Sequence, residues 1–122
     1  KVFGKPLAAY QNSQFKLAEL RTELDFAQTY VDQCVAAFNA GQLTAVDAAK
    51  AKLVTSELQV KAADLGVQLH GGNGYMDEYP ISRQYTDARI SPIYAGSSEV
   101  MKIIISRDCL GDDYIPFNTR NF

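Results

Sequence analysis

Two stretches of the chain hold residues whose types and spacing suit chemistry. The first is Gln68-Leu69-His70-Gly71-Gly72-Asn73-Gly74-Tyr75, three glycines in four positions directly after a long helical run. Glycines this dense stop a helix, permit positive φ, and let backbone N–H groups approach a ligand that a side chain would hold off. The second is Ala95-Gly96-Ser97, at the entry to the last predicted helix. A helix N-terminus carries partial positive charge and free N–H donors, which suits a phosphate or an oxygen that gains charge in a reaction. Every helix has such an end, so position alone makes neither stretch a site.

Other chemistries find little support. A dinucleotide fingerprint G-x-G-x-x-G fails, because Asp77 stands where the third glycine belongs and the run follows a helix, not a strand. His70 is the only histidine and has no Cys or second His at ligand spacing, so it defines no metal site. The expectation for it is a helix-end histidine bonding a backbone carbonyl. Ser97 and Ser98 lack a G-x-S-x-G elbow and a nearby His, and read as helix caps. Asp77, Glu78, Asp87 and Glu99 lie at or near predicted helix starts, where the macrodipole favours acids without any catalytic role.

The elements that must position these stretches are helices. The 122 residues, 47% hydrophobic and 21% charged, suffice for one compact core. A net charge of -2 and a pI near 5.3 offer no basic face to nucleic acid. Two cysteines, Cys34 and Cys109, predict free, packed thiols in a reducing compartment. No apolar run spans a bilayer and no signal sequence is evident, so a soluble chain is expected. The opening at Lys1, without Met or a preceding cap, suggests a piece of a larger protein.

From Pro6 to Asn39, Leu17, Leu20, Leu24, Ala27, Val31, Cys34 and Phe38 form the stripe of an amphipathic helix, with Pro6 in its first turn and Gly41 at C′. Helical throughout, it is about 50 Å long, more than a domain of this size needs for itself. Thr44 with Asp47 resembles a capping box that starts a second helix to about Leu69, apolar on more than one side. Ile81 to Arg89 predicts two turns of helix, ended by Ser91-Pro92. Ser97-Ser98-Glu99 opens a last helix to Gly111, and residues 112–122 read as an irregular tail. The fold class expected is all-α, an up-and-down bundle of four helices.

Six motifs then stand in one order: Val2-Phe3-Gly4-Lys5-Pro6-Leu7, Gln11, the stretch Gln68 to Tyr75, Glu78-Tyr79-Pro80, Asp87-Ala88-Arg89-Ile90, and Ile93-Tyr94-Ala95-Gly96-Ser97-Ser98-Glu99-Val100-Met101-Lys102. Together they resemble the C-terminal domain of the acyl-CoA dehydrogenases over about positions 1 to 111. The resemblance implies a three-domain flavoenzyme that takes a proton from the α carbon and a hydride from the β carbon of an acyl-CoA, the hydride going to FAD. It further implies a homo-oligomer, dimer or tetramer, built through these helices, electron-transfer flavoprotein as acceptor, and residence in bacterial cytoplasm or the mitochondrial matrix.

Carried over by position, Phe3 and Gln11 look like residues that pack on and bond the FAD of a neighbouring subunit, and Gln68, Leu69, His70, Gly71 and Gly72 like the segment along its pyrophosphate. Ser97 and Glu99 match contacts to the subunit's own FAD, and Tyr94 and Gly96 match positions beside the substrate. Ala95 departs from the pattern: many members carry there the Glu that takes the α proton, and a methyl group cannot act as a base. Some branches place the base on a helix before this domain, while the backbone N–H of Ala95 still suits the thioester oxygen. Thr86 departs too, standing where an Arg usually neighbours Asp87. The alternative is a dehydrogenase-like flavoprotein or assembly subunit without a base. A free-standing helical module is disfavoured, having no use for Gln11, the glycines and the Tyr94 loop together.

Overall fold

The structure is a computed structural model that describes residues 4 and 6–111; Phe3 and the tail at 112–122 lie outside the described residues. It is all-α, as expected, with no strand among the described residues. A short 3-10 turn, Leu7–Ala9, precedes α1, Gln11–Asn39; then follow α2, Ala45–His70, a single turn α3, Gly72–Tyr75, α4, Pro80–Arg89, and α5, Ser98–Leu110.

The helix ends follow from local chemistry. The first helix begins at Gln11, not Pro6, because Tyr10 is extended at φ -88 and ψ 131 and Pro6 instead caps the 3-10 turn. Gly41 takes the C′ position after α1 at φ 71, where a glycine has no Cβ to clash. The Thr44 hydroxyl accepts from the Asp47 N–H at 3.1 Å, the expected cap of α2. Helix α4 starts one residue earlier than predicted, with Pro80 at N1, where its missing N–H costs nothing. Asp87 sits in the last turn of α4, not at a helix start.

Helix α2 is the hub, packing against α1, α3, α4 and α5, whereas among the described residues α1 packs closely only on α2 and the 3-10 turn before it. The apolar breadth of α2 is thereby used on several sides. The cluster that joins α1 to α2 is Leu20, Ala27 and Leu58, flanked by Ala62 and Leu65; each buried leucine contributes about 1.5–3 kcal/mol. Among the described residues α1 covers only part of its stripe: Leu17, Leu24 and Phe38 stay exposed. Cys34 is half-buried and Cys109 is exposed, so the second thiol is not packed as expected.

Candidate functional site

At the C-terminal end of α2 the glycines serve different ends. Gly71 caps the helix at φ 62 and ψ -141, a conformation for glycine. Gly74 is buried against α2, where an added Cβ would come within 2.9 Å of Val67 Cα and closer still to its carbonyl oxygen. A short helical turn was not expected in so glycine-rich a run; this contact with α2 accommodates it. Gly72 needs neither freedom: a Cβ there meets nothing within 4 Å. Gln68 and His70 are exposed beside it, while Leu69 is half-buried. His70 Nδ1–H donates to the Gly66 carbonyl at 2.7 Å, the expected helix-end bond, and leaves Nε2 outward.

The second stretch forms a loop between α4 and α5. The Ser91 hydroxyl, buried, donates to the carbonyls of Ala88 and Ser56 at 2.7 and 3.3 Å, tying the loop's start to α2. Ala95 is at φ 55, the one non-glycine residue with positive φ among those described, and Gly96 follows at φ 97. The left-handed region costs an alanine about 1 kcal/mol. The N–H groups of Ala95, Gly96 and Ser97 have no acceptor among the described residues. Ser97 caps α5, its hydroxyl accepting from the Val100 N–H at 3.2 Å, and Glu99 stands exposed in the first turn. Tyr94 and Ala95 are exposed. Ser98, 6% exposed, has a buried hydroxyl with no hydrogen-bond partner among the described residues.

One residue here escapes a reading of the sequence. Lys52 of α2 donates from Nζ to the carbonyls of Ser91 and Gly96 at 2.8 and 2.6 Å, and lies 5.8 Å from the centroid of the Tyr94 ring. A faint signal exists: Lys52 falls on the same helical stripe as Ala49 and Ser56, both buried, where a solvated lysine does not belong.

The structure brings Tyr94, Ala95, Gly96 and Ser97 together on this loop, with Glu99 in the first turn of α5, but leaves Gln68 to Gly72 apart from them. From Lys52 to His70 is eighteen residues of α2, about 27 Å. Gln11 opens α1: Lys61 pairs with Glu23 at 2.8 Å across the antiparallel helices, so the start of α1 and the C-terminal end of α2 lie at the same end of the pair. Thr86 donates to the Ser82 carbonyl at 3.2 Å, and Asp87 makes no ion pair among the described residues.

Elsewhere, a groove of about 690 Å³ runs between α1 and α2, lined by Phe26, Tyr30, Val31, Val54 and Leu58 among others, none of them from either stretch. Of these, Tyr30 donates from its hydroxyl to Asp47 Oδ1 at 3.2 Å. Burial first, and the Asp47 charge second, push its phenol up to about 12. No cluster of potential metal ligands occurs among the described residues, and no helix there is long and apolar enough to cross a membrane.

Comparison with known proteins matches this geometry to one family. The model of the acyl-CoA dehydrogenase C-terminal domain matches residues 1–110. The long-chain specific mitochondrial acyl-CoA dehydrogenase of Rattus norvegicus is 46% identical over 112 residues, 92% of this chain and 26% of the relative. Among solved structures, the acyl-CoA dehydrogenase from Geobacillus kaustophilus superposes with a TM-score of 0.86 at 41% identity, covering 89% of this chain and 29% of that one. The butyryl-CoA dehydrogenase from Megasphaera elsdenii gives 0.85 at 36% identity, covering 90% and 29%. The chain thus spans about a quarter of the length of the curated relative. It is in this helical, C-terminal portion that the chain belongs to the acyl-CoA dehydrogenase family.

Proposed function

We propose that the chain is the FAD-binding and oligomerisation domain of an acyl-CoA dehydrogenase that converts an acyl-CoA to the 2-enoyl-CoA. The observation that carries this reading is the pair of donor-rich stretches at two levels of α2, about 27 Å apart. The open space at Gly72, and the start of α1 at Gln11 at the same end of the α1–α2 pair, support a cradle for the cofactor of a second copy. The free amides at 95–97 and the orphaned Ser98 hydroxyl support a ligand at the entry to α5. In a homodimer or homotetramer the glycine end of one copy completes the loop end of another, with Phe3, Gln11 and Gln68 to Gly72 holding the neighbour's FAD. Exposed Phe15, Phe26 and Phe38, the last two at 76% and 69%, favour such association, because apolar patches of this kind mark interfaces.

When bound, FAD supplies the hydride acceptor for the β carbon. The chain's own residues do the rest of what falls to this domain: Ser97 and Glu99 hold the copy's own cofactor, and Tyr94 and Gly96 flank the acyl chain. The Ala95 N–H donates to the thioester oxygen, which gains negative charge as the α proton leaves. Ala95 has no group to take that proton, so the base comes from a helix of the whole protein outside these residues. Electron-transfer flavoprotein accepts the electrons, in bacterial cytoplasm or the mitochondrial matrix. The isolated chain with added FAD oxidises no acyl-CoA and self-associates; detectable turnover, or a monodisperse monomer by light scattering at micromolar concentration, contradicts this.

Ala95 also favours a second reading, a flavoprotein or assembly subunit that has lost its base. Anaerobic addition of a panel of acyl-CoAs to the whole purified protein separates the two. Bleaching of the flavin band supports the dehydrogenase, whereas bound flavin that no acyl-CoA bleaches supports the subunit.

A further inference from the structure

Lys52 has no carboxylate partner among the described residues; two carbonyl dipoles and the face of a tyrosine surround its ammonium instead. Setting a charged group into a half-buried position is costly unless its hydrogen bonds are made, so the arrangement constrains the loop as firmly as the loop constrains the lysine. The two carbonyls are those of Ser91 and Gly96, and the residues between them include Ala95 at φ 55. One cation therefore pins both ends of a segment that is strained at Ala95, next to its Gly96 end. Strain of this kind persists only where the surroundings enforce it.

The bond to Gly96 has a directional consequence. The C=O and N–H of one peptide unit point in opposite directions, so drawing the Gly96 carbonyl to α2 turns the Ser97 N–H away from α2. A carbonyl that accepts from a cation also leaves the N–H of the same unit a stronger donor. Hence the ammonium polarises the peptide unit that carries the Ser97 N–H, and by fixing the Gly96 carbonyl it orders the adjoining backbone, whose amides at 95 and 96 likewise have no acceptor among the described residues.

We propose that Lys52 is a positioning residue for the reaction: it holds Ala95 and Gly96 in left-handed conformations and so aims the free amides of the 91–97 loop at the thioester oxygen of a bound acyl-CoA. This rests on the functional reading above. A side chain that touches no substrate then sets how well the loop stabilises the charge developing on that oxygen.

The test uses the whole flavoprotein as wild type, Lys52→Met and Lys52→Arg. Methionine keeps the length and packing without the charge, and arginine restores a cation with donors for two carbonyls. Amide hydrogen exchange over residues 93–98, followed by mass spectrometry, reads loop order without reference to turnover. Steady-state kcat and KM with an acyl-CoA read the chemistry. For Lys52→Met the expected result is faster exchange confined to this loop, and kcat lower by about tenfold or more with KM changed less than about threefold. Lys52→Arg recovers most of both. Exchange as slow as in the wild type overturns the proposal, as does faster exchange with unchanged kcat, which makes Lys52 merely structural. A wild-type protein that turns over no acyl-CoA defeats the functional reading, and the role of Lys52 toward a thioester falls with it; loss confined to Lys52→Met on an active background cannot arise that way.

Discussion

Substituting alanine for Gly71, Gly72 and Gly74 one at a time separates a glycine kept for the fold from one kept for a ligand. Gly74→Ala places a methyl group within 2.9 Å of Val67 Cα, a backbone atom that cannot swing aside as a side chain does. Overpacking of this sort costs about 1–3 kcal/mol, and the backbone neighbour puts it at the upper end. Gly71→Ala meets open space but must adopt φ 62 with ψ -141, which costs about 1–3 kcal/mol. Gly72→Ala meets neither obstacle and gains about 0.4–1 kcal/mol by restricting the unfolded chain. In thermal unfolding of the chain, at about 4 °C per kcal/mol, Gly74→Ala lowers the midpoint by about 10 °C and Gly72→Ala raises it by a few degrees. In the whole protein the ordering inverts for Gly72: stable as it is, the variant loses FAD affinity by about tenfold or more, because its methyl group keeps the cofactor from the backbone. Bound FAD measured by absorbance against protein concentration decides the matter. Full flavin content in Gly72→Ala refutes the cradle, and a large loss of its thermal stability refutes the steric reasoning.

Three further outcomes follow from the helix ends and from Tyr30. Because the phenol of Tyr30 is raised to about 12 in the fold from its ordinary 10, the contribution is full below pH 10 and is lost as pH climbs toward 12. The unfolding free energy from urea titration should fall over that window, and fall less in Tyr30→Phe; a flat profile contradicts the raised phenol that burial and then the Asp47 charge give. Thr44→Ala removes the hydroxyl that accepts from Asp47 N–H and should cost about 1 kcal/mol of unfolding free energy. Ala95→Gly relieves the positive φ and should stabilise the chain by up to about 1 kcal/mol, where a loss of stability denies the strain.

Much of this architecture is legible in the residues alone. Thr44 three before Asp47, Gly41 after the first stripe and Ser97 before Glu99 each mark a helix end by a bond or a dihedral that only those residue types supply locally. His70 at the close of α2 was equally readable, since a histidine four residues after Gly66 reaches that carbonyl within one turn. What escaped depends on long-range placement. Lys52 sits among alanines and looks solvated until the fold brings to it carbonyls 39 and 44 residues further on. The left-handed backbone at Ala95 runs against the preference of its own residue type, so no local rule announces it. The start of α1 at Gln11 turns on an extended Tyr10, which the helical pattern of its neighbours does not foretell.

The central claim is that the glycine end and the loop end of one α2 serve cofactor sites in different copies. Co-assembly of two blocked variants tests it most directly. Gly72→Trp and Ala95→Trp each add bulk at an exposed position, one obstructing the cradle and the other the loop. Each alone should be inactive toward an acyl-CoA. If sites are shared, random mixing in a two-fold assembly pairs an intact cradle with an intact loop in about a quarter of sites, and activity returns to about a quarter of the wild type. Mixed assemblies as inactive as either variant would mean that each copy builds its own site, and the account of α2 would be wrong.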